Sequence, residues 1–191
     1  MERFAGRLEK QTEFDESLAL EYNRLKRALA ASFQEMALET VPRDQYPLNE
    51  VKSAVISQMR SLFAGRADSH LLVIRRYTTP HPDLYALLAA KVNEPVPAWR
   101  LRLLSGDKTH TERRTRELRD LGLEIEVLGE DDEPTYRLVS LQPDLIYGAA
   151  YQLRENVIKS RTLSAFEKEL LRRLAEETAE LPPRRSANDG D

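Results

Sequence analysis

Arg113 and Arg116 stand three residues apart in a segment that also holds Lys108, Thr109, His110, Arg114 and Arg119. On a helix, three residues is close to one turn, so the two guanidinium groups point the same way. An outward pair of arginine forks suits guanine edges or backbone phosphates. Lys108, Thr109 and His110 fall at the start of the same helix, where free backbone N–H groups favour an anion. Placing Leu118 at the centre of the buried face puts Thr111, Thr115, Leu121 and Gly122 inward, at about 100° of rotation per residue. Arg114 then sits at the edge, with Thr109, Arg113, Arg116 and Asp120 outward and Glu112 beside them. The expected contacts to nucleic acid are Lys108, Thr109, His110, Arg113 and Arg116, with Arg114 and Arg119 as supporting phosphate or scaffold positions. An alternative use of the same charges is local, because Glu112–Arg116 and Arg113–Glu117 both have the i,i+4 spacing of helical ion pairs.

Such a helix needs a scaffold, and the flanking sequence supplies one. Residues 82–92 carry Leu84, Leu87, Leu88 and Val92 at helical spacing, and Asn93-Glu94-Pro95 stops the run. A short helix is expected over 97–104, with Trp99, Leu101 and Leu104 inward. Ser105-Gly106-Asp107 reads as a turn. The cationic helix follows to Leu121 and ends at Gly122, the usual position for a left-handed residue. Leu123 to Val127 and Thr135 to Val139 alternate as strands around the acidic turn Gly129-Glu130-Asp131-Asp132-Glu133-Pro134. Helix, short helix, turn, helix and hairpin form the order of a winged helix-turn-helix. Arg137 would be the wing's cation, but four consecutive acidic residues at the tip would repel phosphate.

The stretch 96–125 resembles the winged-helix module of bacterial restriction-system proteins, some of which carry HNH nuclease domains. The similarity rests on Ser105-Gly106, Arg113-Arg114, Arg116-Glu117-Leu118-Arg119, Gly122 and Ile125. It covers about a third of the chain and none of the flanking helices. The resemblance implies binding of double-stranded DNA in a restriction, phage-defence or transcriptional-control context. It does not extend to a nuclease: His70, His81 and His110 lie far apart and lack the paired His and Asn pattern of an HNH site.

The flanks read as amphipathic helices. Leu18, Tyr22, Leu25, Leu29, Phe33 and Met36 make one stripe, and Leu48, Val51, Val55, Met59 and Leu62 a second. These helices either pack only on each other or also pair with a second copy as a homodimer. Leu71-Leu72-Val73-Ile74 is a buried strand or a connection, and His81, between two prolines, is expected in a loop. After residue 140, Leu145, Ala149, Leu153 and Val157 form one helical line. Ser164 with Glu167 forms a capping box before Phe166, Leu170 and Leu174, the expected buried line of the last helix. The expected organisation is a helical region over 1–79, the winged helix over 80–140, C-terminal helices over 141–180 and a disordered tail over 181–191. The fold class is mostly α with a small β-hairpin wing.

The net charge of −3 is unevenly spread. Residues 67–122 hold ten basic against seven acidic side chains, whereas 123–191 hold nine against fifteen. The absence of cysteine excludes disulfides and cysteine-ligated zinc. With no apolar signal-like segment at Met1–Lys10 and no membrane-length apolar run, the chain reads as cytoplasmic with no membrane partner. No Gly-rich phosphate loop, HExxH or nuclease-like acidic strand motif is present, so no catalytic or metal residue and no cofactor is assigned and no enzyme activity is expected. The rival to DNA binding is an interaction module that docks a protein partner subunit through the winged helix.

Overall fold

The computed structural model describes residues 15–106, 111–129 and 134–182. It is mostly helical with a small three-stranded antiparallel sheet. The first helix, α1 (Glu16–Glu39), is capped by Asp15, whose carboxylate accepts from the Ser17 and Leu18 amides. Pro42 and Pro47 separate it from α2 (Leu48–Phe63), whose Leu48, Val51, Val55, Met59 and Phe63 form one buried line. The chain then makes a short 3-10 turn, Ser69–Leu71. No strand forms at Leu71-Leu72-Val73-Ile74: the Asn156 side-chain amide donates to the carbonyls of Leu71 and Val73, at 2.8 and 2.7 Å, in place of a ladder.

The winged helix follows: α3 (His81–Ala89), β1 (Val96–Pro97), α4 (Ala98–Leu104), α5 (Thr111–Arg119), β2 (Ile125–Leu128) and β3 (Thr135–Leu138). The sheet order is β1-β3-β2, with Val96 opposite Tyr136 and Ile125 opposite Leu138. α3 is covered almost all round, as a helix enclosed by its neighbours must be. His81 is its first residue and is buried, not a loop residue as expected from its two prolines. Trp99, expected inward, is 55 % exposed, because α4 turns Ala98, Leu101 and Leu104 to the core instead.

Two helices complete the chain: α6 (Leu145–Lys159) and α7 (Ala165–Thr178), the latter with the capping box of Ser164 and Glu167. On α7 the buried positions are Leu171 and Ala175, with Leu174 partly buried, while Phe166 and Leu170 face outward. The apolar line is rotated by one residue from that expected. Among the described residues, no helix is long and apolar enough to cross a membrane.

The buried side chains fall into two clusters. One unites α3, α4, α5 and the sheet with Leu48 and Val51. The other unites α6 and α7 with Val55, Met59 and Phe63. α2 therefore contributes its first half to one cluster and its second half to the other. The clusters also meet where α5 ends and α6 begins. Gly122, at φ +85°, closes α5, and its carbonyl accepts from the Asp144 amide at 2.8 Å. A Cβ on Gly122 would stand 2.1 Å from the Asp144 carbonyl oxygen, and one on Gly148 would stand 2.7 Å from that of Leu121. Gly122→Ala, strained in backbone and overpacked at once, is expected to lower the unfolding free energy by about 3 kcal/mol. Gly148→Ala is also expected to destabilise, against the roughly 1 kcal/mol that alanine ordinarily gains over glycine inside a helix. Urea unfolding of the two variants checks both signs, and a stabilised Gly148→Ala would contradict this close approach.

Candidate nucleic-acid interface

α5 docks through Thr115 and Leu118, with Leu121 just beyond its end, all three fully buried. That orientation turns Arg113, Arg114 and Arg116 outward, and Arg119 is half-buried. Lys108, Thr109, His110 and the acidic tip 130–133 lie outside the described residues. Asp120, expected outward, is 1 % exposed. It follows the last residue of α5, where the helical rotation no longer applies, and its carbonyl accepts from the Gln152 side chain at 2.9 Å.

The centre of the arrangement is Glu117, whose side chain is only 11 % exposed. Its carboxylate receives Arg113 Nε at 3.3 Å, Arg114 Nη1 at 3.0 Å and His81 Nε2 at 2.8 Å. The other ring nitrogen of His81 lies 2.8 Å from the Thr78 carbonyl oxygen. One carboxylate thus gathers two guanidinium groups and an imidazole. It fixes their positions without cancelling their charge, and the cluster keeps a positive excess.

Glu117 and His81 were not among the expected site residues. The spacing of Glu117 behind Arg113 and Arg114 carries a local signal for the first. Nothing local marks His81, which reaches α5 from a helix that begins far earlier in the chain.

The second expected ion pair is rearranged. Glu112 receives Arg102 of α4 at 2.8 Å and not Arg116. The bond braces the first turn of α5 against α4, and it leaves Arg116 exposed with no carboxylate within ion-pair distance among the described residues. The wing's Arg137 is held across the hairpin by Glu126, directly opposite it in register. Among the described residues, no group of three or more His, Asp or Glu side chains could hold a metal ion.

The chain matches no protein-family model, no curated protein and no solved structure.

Burial by itself would push the Glu117 carboxyl up. The hydrogen bonds from His81 and Arg114, and the charges of both, outweigh burial and hold it at about 2. A carboxyl depressed in this way stabilises the fold above the ordinary glutamate range, and that contribution is lost as pH falls through about 2. At pH 7, Glu117→Gln is therefore expected to be less stable than the wild type by on the order of 3 kcal/mol. The difference should narrow steadily as the pH is lowered from 5 towards 2. Urea unfolding across that range checks it, and a gap independent of pH would contradict the assignment.

Proposed function

We propose that this protein binds double-stranded DNA through α5 of its winged helix, in a restriction, phage-defence or transcriptional-control context. The observation that carries the reading is Arg116. It is exposed on the outward face of a helix whose opposite face is fixed in the core, and no described carboxylate lies within ion-pair distance of it, although its charge is felt at Glu112. Arg113 and Arg114 extend the same cationic surface, held in place through Glu117. Guanidinium groups positioned in this way suit phosphate contacts, with base-edge contacts where the helix enters the major groove. The resemblance of residues 96–125 to restriction-system winged helices supports the context.

A second reading is docking of a protein partner by the same domain. It is favoured by the extent of internal pairing, since Arg102, Arg113, Arg114 and Arg137 all bond to carboxylates within the chain.

Fluorescence polarisation with a random-sequence duplex at two salt concentrations separates the readings. The DNA reading predicts binding that weakens as salt rises. Arg116→Ala should weaken binding about tenfold and reduce the salt dependence by about one counterion. Arg137→Ala, which removes a cation already tied to Glu126, should change affinity little. Wild-type protein that fails to bind duplex even at low salt would overturn the reading and favour the protein partner.

A further inference from the structure

The last turns of α1 meet the winged helix, and the join leaves a groove. Gln34 donates to the Leu104 carbonyl at 2.8 Å, and Ala37 and Leu38 pack on the core, so α1 is fixed against the end of α4. Between the two helices the groove encloses about 390 Å³. Its floor includes Leu87 of α3 and Leu104 of α4, both members of the buried core. Its sides include Phe33 and Met36 of α1 and Trp99 of α4, which are 52, 54 and 55 % exposed. Large apolar side chains left half-exposed around one concavity, on a join that is already fixed, suit a small molecule with an apolar body.

The polar groups on the groove narrow the chemistry of that molecule. Among the described residues, no acidic side chain lines it and Arg100 is its one cation. The Thr40 hydroxyl at its edge is already spent on the Ala37 carbonyl, at 2.7 Å. Arg100 is half-buried, and no described carboxylate lies within ion-pair distance of it, whereas Arg102 on the same helix is tied to Glu112. An arginine lays its apolar stem along such a surface and keeps its charged fork at the edge. The fork of Arg100 is therefore available to a carboxylate whose apolar body fills the groove. At roughly 30 Å³ for each water-sized group, the groove holds about a dozen non-hydrogen atoms.

We propose that this groove binds an amphipathic monocarboxylate of about ten carbons, with its apolar body along Leu87, Met36 and Trp99 and its carboxylate on Arg100. A neutral amphiphile of the same length gains the apolar contacts and leaves the arginine unmatched. A cationic one is repelled by it. A dianion brings a second charge to a groove that offers one cation, and a charge taken out of water without a partner is costly. The site does not depend on the DNA reading, and either can fail without the other, because no side chain of α5 lines the groove.

The test titrates the full chain with decanoate, decanol and decylammonium. Trp99 is the sole tryptophan, so its emission reports on the groove directly, and titration calorimetry gives a second readout. Decanoate should shift the emission and bind with a dissociation constant of about 50 µM. Decanol should bind roughly tenfold more weakly and decylammonium more weakly still. Arg100→Gln should weaken decanoate about tenfold and leave decanol unchanged. Met36→Glu, at a side chain outside both buried clusters, should abolish decanoate binding while keeping the wild-type circular dichroism spectrum and urea midpoint. Decanoate that gives neither heat nor a change in emission up to about 1 mM would overturn the proposal. Decanol that binds the wild type as tightly as decanoate, or decanoate indifferent to Arg100→Gln, would overturn the carboxylate assignment. Emission that shifts with protein concentration alone would give the groove to a second copy and overturn the proposal as well.

Discussion

The orientation of α5 depends on a single buried carboxylate. Glu117 lies at the junction of α5 with α3 and receives a hydrogen bond from His81 on one side and from two arginines on the other. Burying a charge is costly unless every lone pair finds a donor, and this carboxylate is well supplied. The apolar contacts of Leu118 and Leu121 bring the helix to the core, but apolar contact is not directional. The Glu117 bonds are directional. They set the rotation of α5 and hold Arg113 and Arg114 in place, and the Arg102–Glu112 pair fixes its first turn against α4. All three arginines face outward, and Arg116 is the one with no carboxylate at ion-pair distance among the described residues; the proposed chemistry follows from it.

The winged helix is also joined to the helices around it. α2 runs through both buried clusters, and α6 begins against the turn that ends α5, where two glycines allow backbone to meet backbone. Gln152 of α6 adds a buried bridge, donating to the Tyr77 hydroxyl and the Asp120 carbonyl. The end of the candidate reading helix is therefore clamped by the C-terminal helices, which favours a rigid presentation of its outward face over a mobile one. α1 differs in kind: it meets the winged helix towards its C-terminal end, through Gln34, Ala37 and Leu38.

The parts of this arrangement that were legible in the sequence are those governed by local periodicity. The buried line of α2 from Leu48 to Met59, the turn at Ser105-Gly106, the end of α5 at Gly122 and the alternation of β3 all follow from spacing and turn chemistry, whereas α2 ends its line on Phe63 in place of Leu62 and Val127 of β2 is exposed. The parts that were not legible are set by other elements. β1 is only two residues long, so it has no period to detect, and it exists because β3 offers an edge. The Glu112 side chain was equally able to reach Arg116 by spacing, but α4 brings Arg102 closer. Trp99, Phe166 and Leu170 are apolar and helical in position, yet exposed, because hydrophobic character marks a residue for burial without specifying which neighbour will cover it. His81 reads as a loop residue between prolines until α5 supplies its partner.

The central claim is that the outward arginines of α5 meet DNA, with Arg116 foremost. The most direct measurement is a nitrogen–proton correlation spectrum of the arginine Nε–H groups, recorded as a short random duplex is added. The account predicts that Arg116 moves most and that Arg113 moves less, since its Nε already donates to Glu117. It also predicts that the indole N–H of Trp99, an exposed residue of α4, stays where it was. A spectrum in which the α5 arginines are unmoved, or in which Trp99 alone responds, would contradict it.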